Sequence, residues 1–112
     1  MTGLGNLVVG YNEVPFGGLA AGDRGGAHNL IVGPEHRYLS VGGFVAGEEN
    51  TISGAFASVS GGAGNTASGG NSSVSGGFLN TASGGGASVS GGAARSAPGV
   101  IDWVAGGLFQ DF

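Results

Sequence analysis

The chain has 112 residues, enough for one domain, and 28 of them are glycine, with 12 serines and 3 prolines beside them. Such a composition belongs to a disordered linker unless a period organises it. Seven acids face three arginines and no lysine, which excludes a nucleic-acid backbone as partner because phosphates need clustered cations; with no cysteine there is neither disulfide nor thiolate chemistry.

In chain order, the opening Met1-Thr2-Gly3-Leu4-Gly5 lacks the basic and apolar regions of a secretory signal. The chain therefore either stays in the cytoplasm or is a segment of something longer. No apolar run approaches the roughly 18 residues of a membrane-spanning helix, so membrane insertion is not expected. Asn6-Leu7-Val8-Val9-Gly10 reads as a first strand. An excursion near 13–26 follows, through Pro15, Gly17-Gly18 and Asp23-Arg24-Gly25-Gly26. Asn29-Leu30-Ile31-Val32-Gly33 then repeats the first strand. Residues 40–54 fit a fifteen-residue frame with Phe44 in the column later held by valine, and Asn50-Thr51-Ile52-Ser53-Gly54 opens the regular pattern.

Residues 55–69, 70–84 and 85–99 are three blocks of fifteen, and 100–112 is a truncated fourth. Val59, Val74, Val89 and Val104 share one column; Ile52, Ala67, Ala82 and Ala97 share another. Gly61-Gly62, Gly76-Gly77, Gly91-Gly92 and Gly106-Gly107 recur in register. Asn50, Asn65 and Asn80 form a column that ends at Arg95. The whole chain, 1–112, is expected to be a single domain: irregular turns over 1–49, regular repeats over 50–99 and a cap over 100–112. Seven strand-bearing turns are expected in all.

The block cannot be helical, because each carries several glycines and glycine costs about 0.5–1 kcal/mol in a helix. It contains two short alternating runs, Ser-Val-Ser and Asn-Thr-Ala-Ser, each closed by glycine, which is the pattern of strand, turn, strand, turn. Stacked at about 4.8 Å, these blocks make an all-β parallel solenoid of two thin sheets. Alternation points Val59, Val74, Val89, Val104, Ala67, Ala82 and Ala97 inward and Ser58, Ser60, Thr66 and Ser68 outward. The Asn50, Asn65, Asn80 column is suited to an amide ladder along a turn. An interior this thin calls for outside support. Phe56, Phe78, Leu79, Ile101, Leu108 and Phe109, at turns where alternation does not bury them, are expected to supply an association surface. Trp103 and Asp102 interrupt the last turn; they read better as an end cap, with Trp103 as a contact residue the alternative.

The unit over residues 65–77, Asn-Thr-Ala-Ser-Gly-x-x-Ser-Ser-Val-Ser-Gly-Gly, resembles the Ala-x-Ala-x-Gly-x-x-Ser-x-Ala-x-Gly repeat of YadA-like heads in trimeric autotransporter adhesins. The resemblance covers residues 50–112 well and 5–49 loosely. It implies a left-handed β-roll, three chains around one axis, an extracellular or cell-surface location and a role in attachment to a host or abiotic surface. His28-Asn29-Leu30-Ile31-Val32-Gly33 followed by Gly42-Gly43-Phe44-Val45-Ala46-Gly47 also resembles uncharacterised bacterial proteins that join such a segment to these repeats.

Catalytic and cofactor chemistry finds little support. Gly3-Leu4-Gly5 lacks the remainder of a dinucleotide turn, and a phosphate loop needs a lysine. Gly61-Gly62-Ala63-Gly64-Asn65 lacks the aspartate of a calcium nonapeptide. Glu48-Glu49 read as a solvated turn, and His28, His36 and Glu35 as turn or surface residues without an element to converge them on a metal. No serine has a nucleophile-elbow context. No enzyme, metal or cofactor is expected. The chain is expected to be a structural or adhesive module whose partners are copies of itself, in a trimer or an end-to-end filament. Two alternatives remain. The pairs Thr51 and Ser53, Thr66 and Ser68, and Thr81 and Ser83 put two hydroxyls per turn on one flat face, the arrangement of an ice-binding solenoid. A segment of a phage tail fibre is the other.

Overall fold

The structure, a computed structural model, describes residues 5–15, 17–20 and 22–105. It is an all-β parallel solenoid. Its strands are β1 (Leu7–Val9), β2 (Leu30–Val32), β3 (Arg37–Tyr38), β4 (Phe44–Ala46), β5 (Thr51–Ile52), β6 (Ser58–Val59), β7 (Thr66–Ala67), β8 (Ser73–Val74), β9 (Thr81–Ala82), β10 (Ser88–Val89), β11 (Ser96–Ala97) and β12 (Trp103–Val104). The first sheet stacks β1-β2-β4-β6-β8-β10-β12 and the second stacks β3-β5-β7-β9-β11. Among the described residues seven strands stack in the first sheet and five coils carry a strand in both sheets, a slightly smaller count of complete turns than the seven expected. Among the described residues β1 is followed by no strand of the second sheet, and β12 is the last described strand.

The alternation places the interior as expected. Val59, Val74, Val89, Ala67, Ala82 and Ala97 are fully buried in two facing columns, and Val104 packs half-buried against them. One expectation fails. Phe44 pairs with Ser58 and points outward, while Val45 pairs with Val59 and occupies the inner column. The cause is a change of period. Ile31, Val45 and Val59 are fourteen residues apart, whereas Val59, Val74 and Val89 are fifteen apart. The added residue enters at the corner after the first sheet, where Gly61, Gly76 and Gly91 face open space. Shifting a strand by one residue exchanges its faces, so a fifteen-residue frame extended upstream inverts β4.

The corner entering the first sheet passes once per coil through the left-handed backbone region, and the opposite corner passes twice, first at Gly10, Gly33, Gly47, Gly62, Gly77 and Gly92 and again two residues later. At the corner entering the first sheet the residues are Gly5, His28, Gly42, Phe56, Asn71, Gly86 and Ile101; at the opposite corner the later set is Asn12, Glu35, Glu49, Gly64, Leu79 and Ala94. Bulky residues are uncommon there because Cβ crowds the backbone. Here four large ones each follow a glycine at the same corner of the coil before: His28 after Gly5, Phe56 after Gly42, Leu79 after Gly64 and Ile101 after Gly86. A Cβ on Gly42 would meet the Phe56 ring at 2.7 Å and one on Gly64 would meet Leu79 at 2.8 Å. Each large side chain thus lies back over the glycine of the coil before it.

Candidate functional site

The outer face of the first sheet divides along the solenoid axis. One outward column runs Leu7, Leu30, Phe44, Ser58, Ser73, Ser88, Trp103, and its registered neighbour begins Val9, Val32, Ala46. The second column continues through Ser60, Ser75 and Ser90, which bond the next coil at Val74, Val89 and Val104. Three strands are therefore apolar on both faces, and three present only hydroxyls outward. Leu7 and Val9 are 62% and 51% exposed; Leu30, Val32, Phe44 and Ala46 are half-buried by their stacked neighbours. Composition-based reading of the corners missed this strip. Its signal was the unbroken apolar triplets Leu7-Val8-Val9, Leu30-Ile31-Val32 and Phe44-Val45-Ala46, where a strand with one wet face should alternate.

The expected association residues do not gather. Phe56 lies at the corner entering the first sheet and Phe78 with Leu79 at the opposite corner, all exposed. Trp103 lies on the outer face of the first sheet, where its indole Nε1 donates to Ser90 Oγ at 2.7 Å. Leu108 and Phe109, like Gly106-Gly107, fall outside the described residues. On the second sheet Thr51, Thr66 and Thr81 stand in register, with Ser53, Ser68 and Ser83 donating their N–H groups to the following coil. This hydroxyl face has three rungs.

Inside the corner leaving the first sheet, the asparagines form the expected ladder. Asn65 Nδ2 donates to the carbonyls of Gly61 at 3.2 Å and of Gly77 at 3.0 Å, and its Oδ1 accepts the Asn80 N–H at 2.9 Å. Asn50 and Asn80 repeat these contacts, and all three are fully buried. The first rung was not foreseen. His36, expected at a turn or on the surface, is fully buried and takes the place of an asparagine. Its Nδ1 accepts the Asn50 N–H at 3.1 Å, and its Nε2 donates to Val32 O at 2.9 Å. Those two bonds fix the neutral Nε2–H tautomer. Burial holds its pKa below the ordinary histidine range, against the opposing effect of its backbone hydrogen bonds, and the Arg24 guanidinium adds to the depression. His28 lies exposed at the other corner, and no group of three or more metal-ligating side chains converges among the described residues.

The second sheet is covered at its amino end and partly closed at its carboxyl end. At the carboxyl end, Pro98 stands in the column where Ser53, Ser68 and Ser83 each donate an N–H to the following coil, and proline has none. The Gly99 N–H turns to Asp102 Oδ2 at 2.7 Å, and Arg95 ends the ladder with a side chain that cannot accept. Asp102 thus serves as part of a cap. At the amino end the excursion folds against β3: Tyr38 N–H donates to Asp23 O at 2.8 Å and Tyr38 O accepts the Gly26 N–H at 2.9 Å. Arg24 fastens it, donating to the carbonyls of His36, Asn12 and Glu13 and lying 5.7 Å over the Tyr38 ring. Arg37 pairs with Asp23 at 3.1 Å.

Compared with family models, with curated proteins and with solved structures, this chain finds no match.

Proposed function

We propose that this chain is a non-enzymatic structural or adhesive module that works as a side-by-side assembly of identical chains, placed outside the cell or on its surface. The observation that carries the reading is the apolar strip of Leu7, Val9, Leu30, Val32 and Phe44 on the outside of the first sheet. A contiguous apolar surface on a sheet face is a usual mark of association. Cover over the amino end of the second sheet by the Asp23–Gly26 segment and loss of edge donors to Pro98 and Asp102 at its carboxyl end favour lateral packing over end-to-end growth, since filaments of this kind need free strand edges.

The test is light scattering coupled to size exclusion, on the chain as it stands and with Leu7, Val9, Leu30 and Val32 changed to serine, the residue of the same columns in the later coils. The expected result is an oligomer that becomes a folded monomer on substitution. A native chain that stays monomeric at high concentration defeats the proposal. A second reading, binding to ice, is favoured by the in-register Thr51, Thr66, Thr81 column; thermal hysteresis by the purified protein tests it.

A further inference from the structure

We propose that His36 is an acid-sensitive latch that holds the amino-terminal coils to the rest of the solenoid. The coil of β2 and β3 meets the coil of β4 and β5 through the Leu30 N–H to Gly43 O, the Arg37 N–H to Asn50 O and the Leu39 N–H to Ile52 O. Inside that junction His36 supplies the acceptor for the Asn50 N–H. The proton that would make imidazolium goes to Nδ1, because Nε2 already carries one and donates it to Val32 O. A protonated Nδ1 has no lone pair for the Asn50 N–H, so the junction then holds a buried cation facing an unpaired buried donor.

The surrounding charges do not rescue it. Arg24, whose Nε donates to His36 O at 3.0 Å, is a like charge. Asp23 is engaged with Arg37. Glu13 gives Arg24 its backbone carbonyl. Glu35, and Glu48 with Glu49 on the following coil, stand at the corner outside the ladder, and Glu48 and Glu49 are exposed. In the later coils asparagine replaces histidine at this column, and an amide does not titrate. A solenoid coil contacts only its neighbours, so opening at one junction need not spread.

The sign follows from linkage. The closed junction keeps His36 neutral, while the open one lets it bind a proton near the free value of about 6.5. Stability of the junction is fully present above that pH and falls as pH drops below it, by at most about tenfold in the opening equilibrium per pH unit, levelling off once pH reaches the lowered pKa of the closed junction. β1 and β2 carry much of the apolar strip, so opening would also dismantle the proposed association face. That consequence rests on the side-by-side reading; the latch does not.

Residue-resolved hydrogen exchange by NMR between pH 7.5 and 5, corrected for intrinsic rates, tests the latch. Protection at Arg37, Leu39 and Asn50 is expected to fall with pH below ~6.5, by up to about tenfold per unit, while Thr66, Ser68 and Thr81 show no such slope. In His36→Asn, which installs the residue of the later rungs, the slope disappears. Imidazole nitrogen shifts of the unsubstituted chain should show the Nε2–H tautomer persisting below the free pKa, a readout that does not depend on the variant folding. An imidazole that titrates at the free value, the same slope in His36→Asn, or a slope shared by all coils overturns the proposal. Oligomeric state at pH 7.5 reports on association separately.

Discussion

The coils of β2 to β5 and those from β6 onward are built on one backbone path but packed differently. In the early coils Ile31, Tyr38, Val45 and Ile52 fill the interior, charged side chains fasten the excursion, and the period is fourteen. In the later coils the interior shrinks to one valine and one alanine column, with Ala57 and Ala87 at the corner, and the period is fifteen. Buried asparagines bond the backbone of neighbouring coils in both regions, Asn29 and Asn50 in the early coils and Asn65 and Asn80 in the later ones, but in the later coils they stand beside a much smaller apolar interior. Backbone-directed hydrogen bonding is common to both regions, and what separates them is the volume of apolar side chain buried beside it.

Side-chain truncation sharpens that contrast most. Ile31→Ala should cost about 2–5 kcal/mol, against about 1.5–2 kcal/mol for Val74→Ala, measured by denaturant unfolding. Equal costs would erase the distinction between the two regions. Asn65→Ala should cost about 3 kcal/mol, above the valine change beside it. It leaves the Asn80 N–H without an acceptor and the carbonyls of Gly61 and Gly77 without their amide donor. If Val74→Ala proved the costlier of the two, the account of the later coils would fail. Smaller effects separate the glycines. A methyl on Gly69 would strike the carbonyl of Gly84 on the next coil, whereas one on Gly61 meets nothing within 4 Å. Gly69→Ala should lower stability by about 1–3 kcal/mol, while Gly61→Ala should stay within about 0.5 kcal/mol.

Much of this is legible in the sequence. The Val59, Val74, Val89 and Ala67, Ala82, Ala97 columns could be read because a strand alternates faces and an identical coil stacks on itself. The asparagine ladder could be read because a buried polar column has to bond along its own axis. Phe44 was misplaced because the frame was carried past the point where the period changes, and nothing local marks a missing residue. His36 was misread because the sequence shows a lone histidine among loop residues, not that its two ring nitrogens sit where an asparagine's oxygen and nitrogen would.

The sequence by itself determined that the backbone stacks on itself in short parallel strands, since only that arrangement satisfies a strict period with so little side-chain volume. The tertiary structure decided what lies beside what across coils. It set the apolar strip apart from the serine columns, put Pro98 and Asp102 at a sheet edge, and brought His36 under Asn50. Those relations depend on the length of each coil, and a one-residue difference, invisible in composition, exchanges inside for outside.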